Sequence, residues 1–477
     1  MKALLNQDAI EKAKIQPKKP EVLEEQKLNV RYHIEKPEME NRPQKFLEVF
    51  AAILKHTNYG FVLDHYVRTR TKCARCSTEC FLYQATGDEK YVPCARSGLL
   101  LDVYQRYFTL GGKLKSLFGG SELTDKKIEE MAEAFWNCTA CRRCLLECPI
   151  GIDHGLITHL GRYILSEIGI VPRALQVSVR AQLDGEHKNT SNIPIIAFKD
   201  TIEFLEEDME EERGVPIKFP LDQQADYIFF APVSDYLMEA ETLMGIAAVF
   251  YATGDSWAIG TQFPDAINYG LFYNDHLLDR IINGVHDEFK RLGGKTVLIG
   301  ECGHASRTAK AFMPTYCGKD APPVVNILEY TYKAWKDGKI KFDPNAITET
   351  VTYHDPCNLA RSGWITEQPR ELIKAFCTNF VEMTPNRTEN YCCGGGGGTV
   401  SIDELRPYRT GISGQAKAEQ IRRTGAKIVI APCANCKKQI REVIEDNKLD
   451  CELVGLHDLI YKAIILDKPE ENKQEEE

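Results

Sequence analysis

The sequence predicts an α/β protein in which an α-helical, cysteine-bearing region precedes a duplicated set of strand-loop-helix units. Two observations predict it. Seventeen cysteines fall in two groups, eight between Cys73 and Cys148 and nine between Cys302 and Cys451. From about Asp226, short β-branched runs (YIFFAP, TVLIGECG, TVTYHDPC and KIVIAPCANC) each lead into a turn and then a helical pattern, the alternation of a parallel sheet. At 477 residues the chain is about three typical domain lengths, so more than one packed core is expected.

Composition narrows the class. Hydrophobic residues at 43% and charged residues at 27% are ordinary for a soluble chain. No apolar run approaches the ~20 residues that span a bilayer, and the N-terminal stretch is too charged for a secretory leader, so a cytoplasmic location is expected. A net charge of −10 argues against nucleic acid as a partner. An odd number of cysteines in a reducing compartment points to metal ligation rather than disulfides.

In chain order, residues 1–65 read as an N-terminal arm and helix suited to docking a partner. Prolines at 17, 20, 37 and 43 interrupt any apolar period in the arm, and a short amphipathic helix is expected at about 44–56. Residues 66–160 hold the first cysteine group. Residues 161–222 form a helical, acidic linker, in which 200–212 carry eight acidic residues and no basic one, either a solvated linker or a helix face. Residues 223–340 and 341–465 form two related halves: RLGGKTVLIGECGHA (291–305) aligns without gaps on RRTGAKIVIAPCANC (422–436), placing Cys302 on Cys433 but Ala305 on Cys436. Residues 466–477 read as a disordered acidic tail.

The spacing Cys138-x2-Cys141-x2-Cys144-x3-Cys148-Pro149 is the bacterial ferredoxin run. In that run three thiolates hold one [4Fe-4S] cube and the fourth, before proline, serves the other; a structural zinc has no use for the trailing Cys-Pro. Upstream, Cys73, Cys76 and Cys80 match the last three positions of a second run, with Arg70 at the first position and Phe81 in place of the proline. Exchange of the fourth ligand assigns Cys80, Cys138, Cys141 and Cys144 to one cube, and Cys73, Cys76 and Cys148 to the other. Cys94 either completes that second cube or is a buried free thiol beside a three-iron form.

The second group contains Cys357, the pair Cys392-Cys393 and Cys433-x2-Cys436. Adjacent cysteines do not easily face one tetrahedral ion, and five thiolates exceed the four that a cube requires. The glycine run 394–398 abuts the pair; Gly394, Gly395 and Gly396 either bring backbone N–H groups close to anionic sulfur or form a flexible loop. His304 and His354 follow strands, and each is either a proton donor to a leaving thiolate or a structural histidine. Cys317, Cys377 and Cys451 read as small buried hydrophobes.

CCG followed by Cys-x2-Cys resembles the cysteine-rich domain of heterodisulfide reductases. The strings FWNCTACRRCLLECPIGIDHG, GECGHA, YHDPCNLAR, MTPNRTENYCCGGGGG and APCANC resemble the K-subunit (DsrK, HmeD) family of the membrane-bound Dsr complexes of sulfate-reducing and sulfur-oxidising prokaryotes. The resemblance covers about residues 66–460. It implies a bis-[4Fe-4S] ferredoxin domain followed by a CCG domain, and a noncubane [4Fe-4S] cluster on Cys357, Cys392, Cys393, Cys433 and Cys436. It also implies reduction or formation of a disulfide or trisulfide on a DsrC-like sulfur-carrier protein, and attachment to the inner face of the membrane through a haem-bearing, quinone-reactive subunit and other Dsr-complex subunits. The first half keeps only Cys302 of the CCG pattern, so a second noncubane cluster is not expected. The alternative is a non-catalytic electron relay, like the iron–sulfur subunits of 2-hydroxy-acid or glycerol-3-phosphate dehydrogenases.

Overall fold

The computed structural model describes residues 34–35, 40–116, 119, 122–184, 187–266, 270 and 272–467; most of the arm and the last ten residues of the tail lie outside the described residues. The expected first helix runs Arg42–His56. Ahead of it, β1 (Ile34–Glu35) pairs antiparallel with β2 (Val171–Pro172), so part of the arm is held by its own chain.

The first cysteine group lies in a helical layer. Its framework helices are Arg42–His56, Tyr59–Thr69, Pro93–Phe108, Asp125–Trp136 and His154–Glu167, packed around Phe46, Phe50, Leu100, Phe135, Trp136 and Ile164. Two starts are set by side-chain caps that satisfy otherwise open backbone donors. Thr124 Oγ1 accepts from Lys127 N, and Asp153 Oδ1 accepts from Gly155 N at 2.9 Å and Leu156 N at 3.1 Å. Gly161 allows close approach of the Phe135 ring, since a Cβ there would lie 2.3 Å from the ring edge.

The remainder contains two four-stranded parallel sheets. Strands β3 (Tyr227–Phe230), β4 (Trp257–Ile259), β5 (Thr296–Ile299) and β6 (Val324–Asn326) run in the order β4-β3-β5-β6. Strands β7 (Ile347–Tyr353), β8 (Cys377–Phe380), β9 (Ile428–Ile430) and β10 (Glu452–Val454) run in the order β8-β7-β9-β10. Each sheet therefore has its first strand beside its second and third, and its fourth outside the third. The internal echo lays β5 on β9, the third strand of each. A ferredoxin-like domain followed by a duplicated cysteine-rich α/β domain is the architecture the sequence predicts. The four β-branched runs are β3, β5, β7 and β9; the flanking strands, of three or four residues each, are too short to show a period.

The acidic stretch is part of the helix Ile195–Arg213, which buries Phe198, Ile202, Leu205 and Met209 at helical spacing and turns its acids outward. The two halves share one hydrophobic core rather than packing as separate bodies. Helix Ala240–Thr253 of the first lies on helix Leu456–Ala463 of the second, and a Cβ on Gly245 would sit 2.0 Å from the His457 carbonyl oxygen. A buried charge cluster crosses the same seam. Glu301 accepts from His457 N at 2.8 Å and from His457 Nδ1 at 2.7 Å, while Lys437 Nζ stands 3.4 Å from Glu301 and donates to Thr242.

Gly245→Ala is expected to lower stability by about 1–3 kcal/mol through overpacking. Gly98→Ala, in a helix where a Cβ meets nothing within 4 Å, should raise it by about 0.5–1 kcal/mol. Anaerobic urea unfolding of the two variants compares them; a neutral Gly245→Ala would mean that the halves are not pressed together there.

Candidate metal centre

Parallel strands direct their following loops to one sheet edge, and here those loops carry the sulfur. After β7 the chain runs through His354, Asp355 and Pro356 into the helix Cys357–Gly363. After β9 it reaches Cys433 and the helix Ala434–Asp446, which carries Cys436. After β5 it reaches Cys302, at the start of the helix Gly303–Tyr316, and then His304. The loop holding Cys392 and Cys393 closes the group. All five cysteines of the proposed noncubane set are buried and brought together.

Their thiols form a connected series. Cys392 interacts with both Cys357 and Cys393, Cys393 with Cys436, and Cys436 with Cys433. At one end Cys392 meets Cys141 of the first cysteine group, and its Sγ lies 3.5 Å from Thr139 Oγ1. At the other end Cys433 meets Cys302. Hydrogen bonds from Cys392 and Cys436, with help from His354, hold the Cys393 thiol well below its ordinary range against the effect of burial. Cys433 is lowered in the same way by Cys302, Cys436 and His304.

The glycine run does two kinds of work. Gly394 N donates to Cys392 Sγ at 3.4 Å and Gly395 N to Cys393 Sγ at 3.5 Å. Gly396 faces elsewhere: a Cβ there would come 2.4 Å from the Thr139 carbonyl oxygen, and one on Gly397 2.5 Å from that of Cys138. The second part of the run lets this loop lie on the backbone of the ferredoxin-like region.

Both candidate histidines reach the centre, in matching ways. Asn390 Nδ2 is 3.1 Å from His354 Nδ1, and Asn435 Nδ2 is 3.1 Å from His304 Nδ1. An amide donor on Nδ1 places the hydrogen of the neutral ring on Nε2. In each ring Nε2 is buried with no nitrogen or oxygen partner and is turned to a thiol, that of Cys393 for His354 and that of Cys433 for His304. The His354 ring and the sulfurs of Cys393 and Cys436 present ligand atoms within 4.8 Å of one another.

In the ferredoxin-like region, Cys80, Cys138, Cys141 and Cys144 line one small cavity with Arg96, the grouping expected from ligand exchange. Cys73, Cys76 and Cys94 form a second group. Cys94 is paired with Cys76, and that hydrogen bond lowers its thiol to about 6 against the effect of burial. Cys148, expected to serve the same cube, accepts from Ile152 N at 3.3 Å and lies within electrostatic reach of Tyr66.

Buried cations surround these sulfurs. Arg96 is 2% exposed, two of its nitrogens have no hydrogen-bond partner, and its electrostatic neighbours are Cys80, Cys138 and Cys144. Arg361 stands against Cys141, Cys357 and Cys392. Lys417, brought down to about 8 by burial, is held up in part by Cys393. A buried cation is costly unless an anion faces it. Thiolate-held iron–sulfur groups are such anions, so the donor set and the orphaned guanidinium nitrogens fit them.

A 4Fe-4S dicluster domain profile matches residues 71–152, and the cysteine-rich domain (CCG) profile matches residues 351–441. The chain is 28% identical to the Hdr-like menaquinol oxidoreductase iron-sulfur subunit 2 of Archaeoglobus fulgidus, over 90% of this chain and 86% of that one. The chain therefore carries a 4Fe-4S dicluster domain and a cysteine-rich (CCG) domain and is similar along most of its length to Hdr-like iron–sulfur oxidoreductase subunits. A further relative of this Hdr-like chain is one component of the dihydromethanophenazine:CoB--CoM heterodisulfide reductase of Methanosarcina barkeri, 24% identical over 82% of this chain and 93% of that one. The Archaeoglobus profundus iron-sulfur subunit of the Hdr-like menaquinol oxidoreductase is 27% identical over 91% and 86%.

Sequence reasoning did not pick out Arg96, Arg361, Lys417, Asn390 or Asn435. Nothing in the local pattern marks an arginine or an asparagine as facing sulfur. Cys302 did carry a signal, its alignment on Cys433, but its thiol was not expected to touch that residue.

The position of Cys94 beside Cys73 and Cys76 generates a test. Cys94→Ala is expected to convert one cube to a three-iron form, seen as a lower iron content and a changed EPR spectrum. An unaltered spectrum would make Cys94 a bystander.

Proposed function

We propose that this Hdr-like chain is a DsrK-type catalytic subunit that delivers electrons through two cubane clusters to a noncubane [4Fe-4S] cluster on Cys357, Cys392, Cys393, Cys433 and Cys436. Its reaction would be the two-electron, two-proton reduction of a disulfide or trisulfide, or the reverse, on a DsrC-like sulfur-carrier protein. The observation that carries this reading is the unbroken sulfur series from Cys141 to Cys436. When bound, the iron–sulfur groups would supply one-electron transfer and, at the five-thiol centre, iron able to bind a half-cleaved sulfur.

The chain's own residues supply the rest. Lys417 Nζ donates to Asn390 Oδ1 at 3.0 Å, and Asn390 holds the ring of His354, whose Nε2 faces the Cys393 thiol. This arrangement suits delivery of a proton at His354 Nε2 to a departing thiolate. His304 occupies the equivalent place over Cys433. Gly394 and Gly395 stabilise negative charge on Cys392 and Cys393 through their N–H groups.

No helix among the described residues is long and apolar enough to cross a membrane. The menaquinol oxidoreductase relatives favour a quinone-reactive membrane partner, and a haem-bearing subunit would connect quinol to the cubanes. We assign the chain to the cytoplasmic face of such a complex. The burial of all five thiols favours a second reading, in which the centre is a pure electron relay.

The two readings separate in one experiment. Chemically reduced chain is mixed anaerobically with an oxidised, disulfide-bearing carrier protein, and thiol release and cluster oxidation are followed. Groups behind metal ligands already cost 10–100-fold when removed, so Cys393→Ala is expected to slow thiol release at least ~100-fold while both cubane EPR signals persist. Equal rates in variant and parent would establish the relay.

A further inference from the structure

A cavity of about 360 Å³ lies where three parts of the chain meet: the loop and turn around Arg142, the helix Gly303–Tyr316 and the helix Cys357–Gly363. Its walls include Arg142, Arg307, Lys310 and Arg361, together with Asn358, and no acidic residue. Two of these charges are matched nearby, Arg142 by Asp153 and Lys310 by Glu329. Arg307 and Arg361 make no ion pair among the described residues. Arg307 donates to Asn358 Oδ1 at 3.1 Å, and Arg361 donates to the carbonyls of Cys141, Thr388 and Asn390 at 2.9, 2.7 and 2.8 Å.

The unsatisfied groups here are all donors. Arg361 Nη2, Asn358 Nδ2 and Arg142 Nε are buried without a hydrogen-bond partner. Asn358 Nδ2, Arg142 Nε and the guanidinium of Arg307, which has no carboxylate partner, call for a ligand that only accepts and that is negatively charged; Arg361, which already faces the sulfurs of Cys141, Cys357 and Cys392, adds to the positive wall. A carboxylate or sulfonate meets both requirements, and guanidinium forks match its planar or trigonal oxygens. The size of the cavity lies within the range of small-ligand sites.

Its position ties it to the sulfur centre. Asn358 and Arg361 are on the helix that Cys357 begins, Arg361 also holds the Cys141 carbonyl, and Arg307 lies within electrostatic reach of Cys357. We infer that this cavity is an oxyanion-recognition site, which seats a carboxylate or sulfonate of the sulfur substrate beside Cys357. The inference rests on the disulfide-reductase reading above. The oxyanion is either an acid group on a small sulfur compound or the terminal carboxylate of a protein tail that carries the reactive sulfur.

Equilibrium binding without electrons tests the site independently of turnover. The holoprotein is titrated calorimetrically with 3-(methylthio)propionate, which cannot be reduced, and with its neutral amide. A short peptide with a free C-terminal carboxylate and the same peptide amidated form the second pair. At least one acid should bind about tenfold or more tightly than its amide, equivalent to ~1.4 kcal/mol. Arg307→Gln should remove most of that preference, and Lys310→Gln, at a charge already matched by Glu329, should weaken it less; iron content checks that both variants retain their clusters. A preference confined to the small acid identifies a free sulfur compound, and one shown also by the peptide identifies a protein tail. Equal binding of acid and amide, or a preference untouched in both variants, overturns the site. Acid binding in a chain that reduces no disulfide would leave the oxyanion site standing and remove the reductase reading.

Discussion

The guanidinium of Arg162 joins the two cysteine-bearing regions. It is 1% exposed and lies over the Trp136 ring at 4.9 Å. It donates to the carbonyls of Phe135 and Cys138 on one side, and to those of Phe272 and Gly397 on the other. These bonds tie the start of the ferredoxin run to the glycine loop, and Gly396 and Gly397 permit the backbone contact that the arginine requires. Electron transfer weakens steeply with distance, so on the proposed electron path the meeting of Cys141 with Cys392 would have value only if it is held rigid. A charge buried among carbonyl dipoles holds it through several directed bonds at once, and its removal would leave those acceptors open.

The distribution of charge follows the same constraint. An iron–sulfur group would bring negative charge into this dry interior, and the chain places Arg96, Arg361 and Lys417 there, none of which makes an ion pair with a carboxylate among the described residues. The carboxylates nearby pair with other cations, as Asp355 does with Arg370 at 2.7 Å and as Glu301 does with His457 and Lys437. Asp355 is thereby held by Arg370 within the sulfur-bearing loop, and Glu301 serves at the seam between the halves to lock two helices together.

Much of this was legible in the sequence because the signals are local. The ferredoxin spacing, the β-branched runs ahead of cysteines and the gapless echo of 291–305 on 422–436 each span a few residues, and each corresponds to an element of the fold. What the sequence did not reveal depends on partners far along the chain. The glycine run suggested approach to sulfur, which Gly394 and Gly395 make, but the need for Gly396 and Gly397 arises from Cys138 and Thr139, more than 250 residues away. Arg162 sits in an apolar helix as an apparent exception to its pattern, and only the assembled core gives it acceptors. The two related halves read from the repeat share a core, and Gly245 lets their helices touch, a contact invisible to either repeat alone.

The degenerate half is then best understood by what it has become. Where the second half has Asp355-Pro356-Cys357 after its first strand, the first has Ala231-Pro232-Val233 after β3, and Ala305 stands in the place of Cys436. Without those thiols it has no ligand set of its own. The helix after β5 instead turns toward its neighbour's centre, bringing Cys302 and His304 to Cys433 and placing Arg307 and Lys310 on the wall of the cavity beside Cys357. The two sheets share one strand order, and the loops after their third strands meet at Cys302 and Cys433. The edge that lacks sulfur presents a histidine to Cys433 and two positive side chains to the cavity, groups that thiols alone do not supply.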